Sequence, residues 1–148
     1  MALFPASMPA PRPDMDDAPF WAHCREKQLC FQACAACGLP RHPPTPLCPQ
    51  CHSADVRWVP APAQARVYSF TVVRHAADPA VAGNLPYVVA LVEFPDLPPV
   101  RLVTNLTDTD PARVAIGMPV MLWWDGLDPV DGQPAMNLPR FKPAAKAG

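Results

Sequence analysis

Two pairs of cysteines hold the clearest chemistry in this chain: Cys34-Ala-Ala-Cys37-Gly38 and Cys48-Pro-Gln-Cys51-His52, separated by ten residues. A C-x-x-C turn brings two sulfurs within reach of one ion, and two such turns supply the four soft ligands of a closed tetrahedral zinc site. Gly38 suits a knuckle whose backbone needs a positive φ. Four thiolates leave no coordination position for a substrate, so the expected zinc is structural and not a Lewis acid. His52 and His42 lie close enough in sequence to act as substitutes, but Cys34, Cys37, Cys48 and Cys51 already complete the set. A redox dithiol would place one pair in a βαβ setting, which neither pair has. Cys24 and Cys30 fall outside the spacing and are read as small buried residues.

Other chemistry is thin. The sequence offers no convincing nucleophile with a base, no isolated pair of carboxylates and no phosphate loop, and Gly occurs only 6 times. His75 follows a strand-like run with Asp78 nearby, the setting of a solvated strand end. No catalytic residue is assigned. A nucleic-acid role meets a charge objection: residues 63–148 hold seven Lys or Arg against eight Asp or Glu, and residues 1–62 hold five of each. Neither half offers the basic footprint that phosphate binding requires.

The elements that must position the cysteines follow from proline and apolar patterning. With Pro 23, Gly 6 and 50% hydrophobic residues in 148, the chain is expected to be folded and poor in helix. Residues 1–15 read as a disordered leader. Asp16 and Asp17, followed by Pro19, start a short N-terminal helix over 16–28. Residues 29–62 concentrate cysteine and proline and form the zinc ribbon, with little material for a core of their own. From 63 to 143 the texture changes to β-branched and aromatic runs: Arg66 to His75, Tyr87 to Phe94, Val100 to Asn105, Met118 to Trp124 and Leu138 to Phe141. Thr109 to Val114 reads as a capped helical turn between the third and fourth runs. The order predicts a mainly β protein: short helix, rubredoxin-like ribbon, then a five-stranded OB-fold Greek-key barrel, with 144–148 as a tail.

No apolar run approaches the roughly 20 residues needed to cross a bilayer, so no membrane partner is expected. The start of the chain lacks a signal peptide's basic region and unbroken apolar segment, and a cytoplasmic location is expected. With 17% charged residues, the surface is poor in charge, as the centre of a stable protein interface tends to be.

The sequence resembles the zinc-ribbon, OB-fold, acyl-CoA-associated family of small bacterial and archaeal proteins. The pieces that carry the likeness are Phe20-Trp21, Leu29 to Gly38, Cys48 to Cys51, Val67 to Thr71, Pro86 to Val92, Gly117 to Val120 and Leu138 to Phe141. The resemblance implies a non-catalytic accessory subunit that pairs with a thiolase-like (thiolase or aldolase) or hydratase-like subunit acting on CoA thioesters, helping to stabilise it or to shape its acyl-CoA site. Such proteins serve steroid side chains, aromatic acids or acetoacetyl-CoA condensation. In that role Phe20, Trp21, Tyr68 and one of Trp123 or Trp124 are candidate partner anchors. Arg74, His75 and Arg101 are candidate contacts for a CoA phosphate. The alternatives are a free-standing acyl-CoA or lipid-binding module and, less favoured by charge, a single-stranded nucleic-acid binder.

Overall fold

Asp14 and the two acids after it start the first ordered element. In the computed structural model, which describes residues 2–130 and 132–145, a 3-10 turn over Met15–Asp17 leads into α1, Ala18–Arg25. The carboxylate of Asp17 turns back to accept from the Asp14 amide at 2.7 Å instead of capping α1 itself. Phe20 and Cys24, one turn apart, are its buried face. The helix is shorter than the expected 16–28 because Lys27 enters the left-handed region at φ 55. The Gln28 amide then donates to the His23 carbonyl and the Lys27 amide to that of Cys24, closing the last turn as a Schellman motif.

The ribbon is a three-stranded antiparallel sheet in the order β2-β1-β3, formed by β1 (Cys30–Cys34), β2 (Pro40–Arg41) and β3 (Val56–Pro60). The sequence reading assigns no strands here. All five residues of β1 are buried, so the alternation that signals a half-buried strand is missing. The ribbon also does have a core, which it shares. Phe31 of β1 lies between Phe20 of α1, 6.3 Å away, and Phe94 of the barrel, 5.1 Å away, and Phe94 in turn meets Phe141 at 6.2 Å. Burying each such ring is worth about 1.5–3 kcal/mol, and the row of four ties helix, ribbon and barrel into one cluster.

The barrel follows the expected order. Strands β4 (Gln64–Val73), β5 (Tyr87–Glu93), β6 (Arg101–Leu106), β7 (Pro119–Leu127) and β8 (Met136–Pro143) close as β4-β5-β6-β8-β7. The strict alternation of β5, with Val88, Ala90 and Val92 inward, is the sequence signal made visible. A bulge at Tyr68 re-aims β4 so that it pairs with both β5 and β7. The turn between β6 and β7 is 3-10, Pro111–Arg113, with Asp110 accepting from the Ala112 amide at 2.9 Å. A second 3-10 turn over Pro79–Asn84, unexpected from sequence, is capped in the same manner by Asp78.

Residues 1–15 were expected to form a disordered leader, yet part of the segment is held. Leu3 donates its amide to Asp125 Oδ2 at 3.2 Å and accepts from Asn84 Nδ2 at 2.8 Å, while Phe4 packs edge-on against Tyr87. Two main-chain hydrogen bonds of Leu3 and one aromatic contact of Phe4 hold it in place. Met1 of the leader and residues 146–148 of the expected tail lie outside the described residues. No helix among the described residues is long and apolar enough to cross a membrane.

Candidate metal centre

The two knuckles are built alike. The Gly38 amide donates to the Cys34 carbonyl at 2.9 Å, and the His52 amide donates to that of Cys48 at the same distance. Each turn closes on a residue with positive φ, 82 at Gly38 and 64 at His52. The expectation for Gly38 is met, and His52 occupies the equivalent place in the second knuckle without the freedom of glycine. The loop between the knuckles is pinned by a buried side chain that sequence reasoning missed. Arg41 Nε donates at 2.7 Å to Gln32 Oε1, which also accepts from the Thr45 amide at 2.9 Å.

This framework brings the sulfurs of Cys34, Cys37, Cys48 and Cys51 within 4.8 Å of one another. The Cys34 and Cys51 sulfurs stand 3.5 Å apart, and those of Cys37 and Cys48 stand 3.6 Å apart. A tetrahedron with Zn–S bonds of about 2.3 Å has edges of about 3.8 Å, so the donor set fits zinc closely. Cys34 and Cys48 are fully buried, whereas Cys37 and Cys51 face solvent. Backbone donation from Cys37 brings the Cys34 thiol down to about 6, and donation from Cys51 lowers Cys48 in the same way. At Cys51 the Ser53 amide pulls downward, but the hydrogen bond shared with Cys34 and partial burial carry the thiol up to about 11. Like charges cannot all ionise together, and a bound dication resolves the conflict by replacing the remaining protons. A zinc ion held by Cys34, Cys37, Cys48 and Cys51 would supply cross-linking of the fold, since these four side chains would fill a tetrahedral site.

Cys24 and Cys30 are buried as expected, and burial pushes the Cys24 thiol up to about 12. His42 is not near the sulfur cluster's donor set. Its ring lies 4.9 Å from Phe20 and 5.2 Å from Phe31, and burial lowers it to about 4.

The remaining expected site residues separate. Phe20 is only 3% exposed and belongs to the core, so it does not present a partner-facing ring. Trp21 is half-buried beside it. Tyr68 is exposed at the bulge, with the Arg101 guanidinium 3.6 Å above its ring. The two tryptophans take opposite sides of β7: Trp124 packs against the core, and Trp123 donates from Nε1 to the Thr107 hydroxyl at 2.9 Å. Arg74 and His75 follow the end of β4 that pairs with Tyr87, whereas Arg101 sits in the row of Arg66 and Glu93. Along β5 those rows, at Tyr87 and Glu93, are six residue steps apart, or about 20 Å. The three cations therefore do not gather around one phosphate, a separation that only strand pairing reveals.

The ribbon and barrel also match known families. Residues 21–57 match the rubredoxin-like zinc ribbon domain of ChsH2, and residues 58–125 match the C-terminal OB-fold domain of ChsH2. The chain of the solved "Ltp2-ChsH2(DUF35) aldolase" superposes with a TM-score of 0.79 at 41% identity, covering 92% of this chain and 100% of that one. The chain belongs to the ChsH2-type DUF35 family. Within it, this sequence is 42% identical over 139 residues to the "Probable enoyl-CoA hydratase alpha subunit" of Thermomonospora curvata, covering 94% of this chain. It is also 42% identical over 119 residues to the "3-oxo-4,17-pregnadiene-20-carboxyl-CoA hydratase alpha subunit" of Mycobacterium tuberculosis, covering 80% of this chain. The chain spans 41% and 36% of the length of these two curated relatives.

Proposed function

We propose that this chain is a non-catalytic accessory subunit of an acyl-CoA-processing complex, paired with a thiolase-like (thiolase or aldolase) or hydratase-like catalytic subunit that it stabilises and whose acyl-CoA site it helps shape. The observation that carries the reading is the likeness along the full length of a ChsH2(DUF35) chain from an aldolase. The metal centre supports the non-catalytic part, because four sulfurs leave a zinc ion no open position. In this reading Cys34, Cys37, Cys48 and Cys51 ligate structural zinc. Trp21 and Tyr68 remain candidates for contact with the partner. The subunit works in the cytoplasm, where its thiols stay reduced for metal.

The test is co-expression with each candidate thiolase-like or hydratase-like protein from the same genome, followed by purification of the assembly. A stable stoichiometric complex, with CoA-thioester turnover that depends on this chain, is expected. Purification of the chain alone from every such pairing would overturn the reading. Tight calorimetric binding of an acyl-CoA by the isolated chain would favour a free-standing ligand-binding module instead.

A further inference from the structure

The barrel closes unevenly along one seam. β6 and β8 run parallel and share one ladder position, Leu106 opposite Phe141, beside which the Thr107 amide donates to the Phe141 carbonyl at 2.9 Å. Further along, the Pro139 carbonyl points at β6 and accepts from the Thr104 hydroxyl at 2.8 Å. A strand residue's N–H lies on the same side as its C=O, so the donor that proline lacks is one that would have faced β6. From Arg101 to Val103, β6 therefore has a backbone partner on the β5 side only, among the described residues. An unpaired strand edge of this kind is a template for another extended chain.

That edge lies in a groove of about 630 Å³ between barrel and ribbon. Val103, 66% exposed, and Leu91 are on the barrel side, and Trp21, Pro43 and Pro44 face them. One charge in the groove is left uncompensated. Arg101 is held over the Tyr68 ring, and its ladder neighbour Glu93 is already engaged by Arg66 at 3.3 Å. No carboxylate lies within 4.0 Å of Arg101 among the described residues. Asp17, the acid on the rim, is turned toward the Asp14 amide.

We propose that this groove receives an extended segment of the catalytic partner, which adds as a strand to β6, lays apolar side chains against Val103 and Trp21, and places a carboxylate on Arg101. The inference rests on the accessory-subunit reading above and specifies where the partner docks. Main-chain pairing to a bare edge supplies affinity, and alternate side chains entering an apolar pocket supply selectivity. The planar guanidinium, fixed by its stacking on Tyr68, matches a carboxylate in bidentate fashion. A fatty or sterol chain would fill the apolar walls but leave the strand edge unpaired, which is why a peptide is the better occupant.

The experiment uses the full chain and its co-purified catalytic subunit. Arg101→Gln and Val103→Lys are compared with Arg113→Glu, on the turn between β6 and β7, for affinity, zinc content and melting temperature. Backbone hydrogen exchange is followed with and without the partner. The two groove variants are expected to weaken the complex at least tenfold with zinc content and melting unchanged, the Arg113 variant to bind as the parent does, and amides of 101–103 to exchange more slowly in the complex. A complex that forms with both groove variants at parental affinity, and without protection of those amides, overturns the groove assignment alone. Equal protection by an acyl-CoA without the partner gives the groove to a small ligand and also overturns it. A parent chain that binds no catalytic subunit overturns the accessory-subunit reading and this inference with it.

Discussion

The carboxylate of Asp125 and the guanidinium of Arg140 meet at 3.2 Å in the barrel wall, with the aspartate only 1% exposed. Arg140 reaches onward to Asn105 Oδ1, and Asn105 Nδ2 donates to the Val88 carbonyl at 3.0 Å. The network ties β7, β8, β6 and β5 across the seam where backbone pairing is sparse. The Leu3 amide completes the lid over Asp125 Oδ2.

Removing one partner of this pair strands the other in a dry site. Asp125→Ala is expected to cost about 3–5 kcal/mol of unfolding free energy, far more than an exposed pair such as Arg66 with Glu93, which is worth about 0–1 kcal/mol. Denaturant titration of Asp125→Ala beside Glu93→Ala measures the contrast, and equal losses would reject the structural role given to the buried pair.

Zinc should be present at one ion per chain by elemental analysis and lost in Cys34→Ser and in Cys51→Ser. Because Phe31 packs on Phe94 at 5.1 Å, metal loss should loosen barrel as well as ribbon, so that a chelator lowers the melting temperature of a single cooperative transition. Full zinc occupancy in both variants would reject the ligand set.

His42 predicts an acid-sensitive stability. Its unfolded value is 6.5 and its folded value about 4, because burial disfavours the charged ring. The folded state thus prefers the neutral form, whose contribution is complete above pH 6.5 and declines as pH falls from there toward 4. In His42→Phe, which keeps a ring between Phe20 and Phe31, melting temperature is expected to fall less steeply between pH 6.5 and 4. Identical slopes for parent and variant would show that other groups carry the acid limb.

Four non-glycine residues among those described have positive φ, and two of them close a helix or a knuckle where glycine is the easier choice: His52 at φ 64 and Lys27 at φ 55. Relief of a left-handed side-chain clash is worth about 1 kcal/mol, so His52→Gly and Lys27→Gly should each raise the melting temperature by roughly 3 °C. Gly38→Ala, at φ 82, should move it in the opposite direction. A destabilised His52→Gly protein that retains its zinc would indicate that the imidazole itself holds the knuckle.

Much of this molecule was readable in its local sequence. Two C-x-x-C turns specify a metal site because the chemistry is contained within four residues at each knuckle. The alternation of Tyr87 to Glu93 and the proline and aspartate at the turn before β7 specify elements for the same reason: each depends on neighbours in the chain. Residues whose role is set by distant partners were not legible. β1 showed no period because both its faces are covered, and Phe20 looked like a surface anchor until Phe31 and His42 closed over it. Arg74, His75 and Arg101 looked alike as cations until antiparallel pairing put them at opposite ends of one sheet. Asp125 and Arg140, fifteen residues apart, carry no mark of their pairing in sequence. Short-range spacing determines coordination chemistry and strand identity, whereas burial, register and the environment of a charge are set only when the barrel closes and brings remote segments into one low-dielectric wall.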